Sequence, residues 1–173
     1  MILDKRHLLA ALATVAAAPV LAQSSSSSSA APMGKAEADH AMRTAQAGHD
    51  SLMMANVGME KARGAKVKEF AKFEHDEQTT IAEILKSMNP SMAMPEPERK
   101  AAEMLTKLKS ASGAEFDKMF ITGQIEGHQK LLDIQEDYLK VGKDRETIAV
   151  TKLARGMIKE HLALLEDLRK AGG

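Results

Sequence analysis

Five side chains of the kind that hold transition metals occupy positions that predict one polar layer inside the protein. Glu74 and Glu77 fall inside the apolar stripe of a helical segment, at about 30° on either side of its centre when residues are placed 100° apart. His161 lies within roughly 20° of the centre of a later stripe, and His128 and His49 lie at the edges of two others. Carboxylates and imidazoles that project from different helices form the metal sites of bundle cores. These five residues are therefore the candidate ligands, and a transition-metal ion is the candidate cofactor.

The same polar layer can also be interpreted without a metal. A buried, unpaired carboxylate costs several kcal/mol, so Glu74 and Glu77 must be protonated, paired, hydrated or bound to a cation. A hydrogen-bonded network of Glu, His and Gln side chains would also satisfy them. Two functions follow: a non-enzymatic structural or stress-related module, or a metal-binding protein for Fe, Mn, Zn or Cu.

The elements that must position these residues are helices, because apolar residues recur with helical spacing and Gly, Pro and Asn clusters divide the pattern. No segment alternates with period two. Short links join the first two long segments and the last two, which predicts an all-α, antiparallel four-helix bundle with one extra short helix between the second and third long helices. The predicted segments are Lys35 to Ala62, Lys66 to Met88, Glu98 to Lys109, Ser112 to Val141, and a last one from about Asp144 to Lys170 or Ala171.

The sequence also predicts one helix cap and the orientation of several side chains. Ser112 and Glu115 have the spacing of a capping box, in which each side chain satisfies a backbone amide at the helix start. His40 and His75 are expected to face solvent. The apolar stripes that face the core are expected to include Phe73 on the second long helix and Leu153, Met157 and Leu164 on the last.

Composition excludes several classes of function. The 173 residues carry 24 Lys and Arg against 24 Asp and Glu, which provides no basic field for nucleic acid. The absence of Cys excludes thiolate zinc sites, iron–sulfur clusters and thiol nucleophiles. No phosphate-binding loop, nucleophile elbow or HExxH motif is present, so no catalytic residue is assigned and the protein is not expected to be an enzyme.

The N-terminus has the features of an export signal. Lys5 and Arg6 precede an uncharged apolar stretch that begins at Leu8, and small residues Val20 and Ala22 stand at the −3 and −1 positions of a cleavage point. We therefore expect residues 1–22 to be a cleaved signal peptide, residues 23–34 a Ser-rich flexible linker and residues 35–171 the bundle. No later segment is apolar over a spanning length. The mature protein is expected to be periplasmic or secreted.

Methionines around one loop suggest a second metal hypothesis. Met88, Met92 and Met94 have MxxxM and MxM spacing, and thioethers prefer Cu(I). The competing interpretation is that these methionines fill gaps in the core.

Several short segments together resemble the bacterial exported family called domain of unknown function 4142. They are Val67 to Ala71 with Glu77-Gln78, Phe116-Asp117 with Gln124 and Gly127-His128, and His161-Leu162. Many members carry Asp-His where this chain has Glu77-Gln78, so this chain is similar to a variant subgroup. The resemblance implies a ferritin-like four-helix bundle and export, and it implies no established activity. Ferritin-like di-iron proteins use Glu-x-x-His on each of two helices, whereas this chain has Glu74-x-x-Glu77 and adjacent Glu160-His161.

Overall fold

The computed structural model describes residues 33–172, and within them the chain forms five helices and no strand. They are α1 (Lys35–Lys61), α2 (Ala65–Met88), α3 (Arg99–Ser110), α4 (Gly113–Val141) and α5 (Arg145–Lys170). Four long helices run antiparallel, with α1 against α2 and α4, and α4 against α5. The short α3 lies against α1 and α4. The predicted fold class is thus confirmed as a ferritin-like bundle with one extra short helix, and no helix end differs from its predicted position by more than one residue.

Each tight connection between long helices is held by a carboxylate from another part of the bundle. Asp117 at the start of α4 accepts from the backbone amides of Arg63 and Gly64, at 3.0 and 2.8 Å, in the α1–α2 turn. At the other end, Glu37 of α1 accepts from the amides of Lys143 and Asp144 in the α4–α5 turn. These bonds satisfy backbone donors that the helix ends leave free. They also fix the relative register of the helices, on which any site between them depends.

The start of α4 departs from the predicted capping box. Ser112 is the N-cap residue, but its side chain makes no capping hydrogen bond. Gly113 enters the helix with a φ of +64°, a conformation that suits glycine and redirects the chain away from the Ser112 hydroxyl. At α5, by contrast, the Asp144 side chain accepts from the Thr147 amide at 2.7 Å, which is a standard N-cap bond.

The apolar core is divided by a polar layer. On one side lie Phe70, Phe116, Phe120 and Leu165 with their neighbours. On the other side lie two smaller apolar clusters, one of which contains Leu131, Ile134 and Ile158. The buried polar side chains between them are Ser51, Glu74, Gln124 and His128.

Four residues predicted to face the core are exposed instead. Phe73 is 58% exposed and Leu153 is 71% exposed, and Met157 and Leu164 are also on the surface. The core face of α5 is formed by Thr147, Thr151, Ala154, Ile158 and Leu165. Two of these residues are threonines, so a stripe drawn through the most hydrophobic residues is rotated away from the true core face. The prediction for these four residues was therefore wrong.

None of the helices within residues 33–172 has an apolar stretch long enough to cross a bilayer. Residues 1–32, which hold the predicted signal peptide and most of the predicted linker, lie outside the described part of the chain.

Candidate metal centre

Three of the predicted ligands converge on one point in the polar layer. Glu74 Oε2 lies 3.2 Å from His128 Nε2 and 3.2 Å from His161 Nδ1, and the two imidazole nitrogens lie 3.1 Å apart. The three atoms form a nearly equilateral triangle, contributed by α2, α4 and α5. Glu74 and His128 are fully buried, and the His161 side chain is 13% exposed.

Each of the three residues is also held by a partner on its other polar atom. The Ser51 hydroxyl donates to Glu74 Oε1 at 2.6 Å, and His128 Nδ1 donates to the backbone carbonyl of Gln124 at 2.8 Å. His161 Nε2 lies 3.3 Å from Glu77 Oε2. Outer partners of this kind fix the orientation and tautomer of metal-binding histidines. The triangle is therefore preorganised by contacts outside it.

These partners determine where the protons of the two imidazoles lie. A carbonyl oxygen only accepts, so the Nδ1 of His128 carries a proton and a neutral His128 presents a lone pair at Nε2. Glu77 Oε2 lies 3.3 Å from His161 Nε2 and favours a proton on that nitrogen, so a neutral His161 presents its lone pair at Nδ1. With the carboxylate Oε2 of Glu74, three lone pairs then face one another across 3.1–3.2 Å. Such an arrangement needs a positive charge, either a proton that makes one imidazole an imidazolium or a metal cation.

The electrostatics of the metal-free cluster follow from the same contacts. Burial acts to raise the pKa of Glu74, but the charge of His128 and hydrogen bonds from His128, His161 and Ser51 outweigh it, so the pKa lies well below its usual value. Burial acts to lower the pKa of His161, but the hydrogen bond to Glu74 and the negative charges of Glu77 and Glu74 outweigh it, so the pKa of His161 is raised. Burial raises the pKa of Glu77 against the attraction of His161. A proton on His161, whose Nδ1 lies 3.2 Å from Glu74 Oε2, is one way to supply the positive charge in the metal-free protein.

The remaining predicted ligands lie elsewhere or have another role. Glu77 reaches the triangle only through His161, as an outer partner. His49 is not part of the cluster, because its Nδ1 contacts the backbone carbonyl of Pro95 at 2.8 Å in the loop before α3. The buried face of α1 follows small residues such as Ala47, Gly48 and Ser51, which leaves His49 half-buried beside that face and away from the layer.

Sequence reasoning overlooked Ser51, which bridges Glu74 and Gln124 at 2.6 Å to each. A signal for it exists in the sequence. The buried residues Ala47, Gly48, Ser51, Ala55 and Gly58 recur three or four apart on α1. Small residues at this spacing allow two helices to approach closely, and Ser51 is the polar member of that face.

The predictions for the other two histidines have different outcomes. His75 is half-buried at the surface and contacts Asn56 Oδ1 at 2.9 Å. His40 was expected to face solvent but is 5% exposed, with Nε2 2.8 Å from Gln135 Oε1 and its ring stacked on Tyr138. The expectation for His40 was wrong because the tight α4–α5 turn places Tyr138 against α1.

The methionine loop shows a packing role for one of its members. Met92 is buried in an apolar cluster with Ala41, Ala45 and Leu85, whereas Met94 is exposed. A sulfur that packs in this cluster fits the gap-filling interpretation.

Comparisons with known proteins identify the family and the fold. The family described as "Domain of unknown function (DUF4142)" matches residues 22–168. No curated protein matches. Among solved structures, the crystal structure of a DUF305 fragment from Deinococcus radiodurans superposes with a TM-score of 0.71 at 15% identity, covering 81% of this chain and 99% of that one. At this identity the likeness shows the fold alone. The chain belongs to the DUF4142 family, as its motifs predicted.

Proposed function

We propose that this member of the DUF4142 family binds one divalent first-row transition-metal ion through Glu74, His128 and His161. The observation that supports the proposal most strongly is the triangle of ligand atoms at 3.1–3.2 Å. Glu74 and His128 are each held from outside by a hydrogen bond, and Glu77 lies 3.3 Å from the far nitrogen of His161. A buried arrangement of three acceptors is unfavourable without a cation between them. Two histidines and one carboxylate form a ligand set of zinc enzymes and of non-haem iron proteins.

The spacing of the three atoms fits a coordination polyhedron. At metal–ligand bonds of about 2.1 Å, neighbouring ligands lie about 3.0 Å apart in an octahedron and about 3.4 Å apart in a tetrahedron. The observed 3.1–3.2 Å separations fall between these values. An ion that bonds all three atoms would stand about 1 Å out of their plane by the same geometry. Little movement of the side chains is needed.

One ion fits this site better than the pair found in di-iron bundles. Those sites take four carboxylates and two histidines from four helices. Here two carboxylates and two imidazoles come together, and Glu77 is engaged with the far nitrogen of His161. Three protein ligands leave coordination positions for water or a small molecule, and a metal in such a site acts as a Lewis acid. Access is from the α5 side, where His161 is 13% exposed.

The competing function is the structural module, in which a proton takes the place of the metal. The contact that favours it is the 3.2 Å approach of His161 Nδ1 to Glu74 Oε2, which suits a buried imidazolium–carboxylate pair. The two accounts make opposite predictions for added metal. A proton-held network gains nothing from metal, whereas a metal site gains stability and loses the proton.

The test is a titration of the purified, chelator-treated protein with Co²⁺ and Zn²⁺. Cobalt reports its ligands through its visible absorption, and we expect saturation at one equivalent with displacement by Zn²⁺. Glu74→Gln should abolish the absorption change, and His75→Gln, which removes a histidine outside the cluster, should leave it intact. No uptake by the wild-type protein, or equal uptake by the Glu74→Gln variant, would overturn the proposal.

We also propose that the protein is exported and acts outside the cytoplasm. The supporting features are the basic and apolar segments of residues 1–22 and the match to the family from residue 22 onward. Mass spectrometry of the protein from periplasmic and culture fractions should find a chain that begins at Gln23. An intact N-terminus on cytoplasmic protein would refute export.

A further inference from the structure

A second concave site lies on the other side of α4 from the candidate metal centre. A cavity of about 230 Å³, partly open to solvent, lies between α1, α4 and the start of α3. Its apolar lining includes Ala47, Met54, Met104, Gly123 and Gly127, and one buried carboxylate, that of Asp50, faces it. Neither the metal proposal nor the packing of the bundle uses this space.

Asp50 is a buried carboxylate that forms no salt bridge with any other residue of the described chain. It is 8% exposed, and its Oδ1 accepts from the Glu98 backbone amide at 3.2 Å and from Gln46 Nε2 at 3.3 Å. Of the two lysines that line the cavity, Lys130 is bound to Glu98 Oε1 at 2.5 Å. Burial, helped by the charge of Glu98, raises the pKa of Asp50 against these bonds and the attraction of Lys130. A buried carboxylate with unused acceptor positions is costly unless a cation reaches it.

Glycine at position 127 keeps the cavity open. A Cβ atom at Gly127 would meet only Met54 Cε at 4.0 Å, so no packing contact within the described chain requires glycine there. Glycine inside a helix costs roughly 1 kcal/mol relative to alanine. A larger side chain at this position would project into the space that Asp50 faces.

We propose that this cavity binds a small organic cation, a protonated primary amine with a short alkyl chain. The ammonium group pairs with Asp50, and the chain lies against Met54, Met104 and the glycines of α4. The charged groups around the cavity favour a cation, since three carboxylates, of Asp50, Glu98 and Glu126, stand against two lysines. Because one water-sized group needs about 10–15 Å³ of such cavity volume, the cavity of about 230 Å³ has room for an amine of six non-hydrogen atoms.

Calorimetric titration with n-pentylamine near neutral pH tests the proposal, with 1-pentanol and pentanoate as neutral and anionic ligands of the same chain length. We expect n-pentylamine to bind at least about tenfold more tightly than 1-pentanol, because a hydrogen bond to a charged group exceeds one between neutral groups. Pentanoate should not bind. Equal affinity for amine and alcohol, or no binding of the amine, would overturn the proposal.

Two variants locate the binding. Asp50→Asn retains an acceptor for the Glu98 amide and should remove the preference for the amine over the alcohol. Gly127→Leu should block both ligands. Gly156→Leu on α5 is the matched control, because no atom of the described residues lies within 4 Å of a Cβ there, and it should bind n-pentylamine like the wild type. Wild-type affinity in Asp50→Asn or in Gly127→Leu would place the amine elsewhere and refute the site.

Discussion

Replacement of Glu74 by glutamine separates the metal account from the structural one, because glutamine keeps the shape of the side chain and removes its charge. In the metal-free protein Glu74 accepts from the Ser51 hydroxyl at 2.6 Å and pairs with His161 at 3.2 Å. Bonds to a charged group are worth about 1.5–3 kcal/mol each, and removal of a buried charge also relieves a desolvation cost of several kcal/mol. We therefore expect the metal-free variant to lose only about 1–3 kcal/mol of unfolding free energy.

The larger effect is on stabilisation by metal. A ligand at 100 times its Kd adds about 2.7 kcal/mol to the unfolding free energy, which raises the Tm of a domain of this size by about 10 °C. Without the only charged ligand, Glu74→Gln should show no rise at the same metal concentration. Glu77→Gln removes an outer partner of His161, which costs about 10–100-fold in affinity and leaves a gain of about 0.4–1.4 kcal/mol.

The assay is thermal unfolding followed by circular dichroism, with and without Zn²⁺ or Mn²⁺, on the wild type and three variants. Glu74→Gln and Glu77→Gln make the same chemical change three residues apart on α2, and His75→Gln on the same helix is the control. The expected order of the metal-induced rise in Tm is wild type and His75→Gln first, then Glu77→Gln, then Glu74→Gln with none. A full rise in both glutamate variants, or loss of the rise in His75→Gln, would refute metal binding at Glu74.

Two further predictions concern pH and packing. The raised pKa of His161 contributes stability that is complete below about pH 6.5 and is lost as the pH rises through the folded-state pKa. Thermal unfolding at each pH should therefore show the Tm of the metal-free protein falling from pH 6 to 9, while metal titrations show the affinity rising. A metal-free Tm that rises over this range would contradict the assignment. Gly58→Ala should lower the unfolding free energy by about 1–3 kcal/mol, because a Cβ there would meet Phe120 Cε2 at 2.6 Å. Gly156→Ala, where no atom of the described residues lies within 4 Å of a Cβ, should raise the unfolding free energy by up to about 1 kcal/mol. Denaturant unfolding measures both effects, and equal effects would refute close packing at Gly58.

The fold was predictable because helix punctuation and short connections are local signals. Gly64, the Asn89-Pro90 pair and Gly142 mark the ends of long helices in the sequence and in the structure. The capping side chain of Ser112 was not predictable from the residue types, since the backbone conformation of Gly113 decides whether the hydroxyl reaches the amides.

The candidate centre was predictable in part for a related reason. Glu74, His128 and His161 stand near the middle of long helices whose length fixes their depth, so their meeting in one layer follows from the topology. His49 was misplaced because its direction depends on which face of α1 is buried, and that face is set by close packing of small residues rather than by hydrophobicity. The role of Glu77 as an outer partner depends on the ring orientation of His161, which a helical wheel does not contain.

The central claim is that Glu74 Oε2, His128 Nε2 and His161 Nδ1 bind one metal ion. Anomalous diffraction from crystals of the protein grown with one equivalent of Zn²⁺ tests it most directly. The account predicts a single strong anomalous peak in the bundle core, at about 2.0–2.2 Å from all three atoms. A core without anomalous density, with His161 still 3.2 Å from Glu74, would contradict the claim and leave a proton-held structural network.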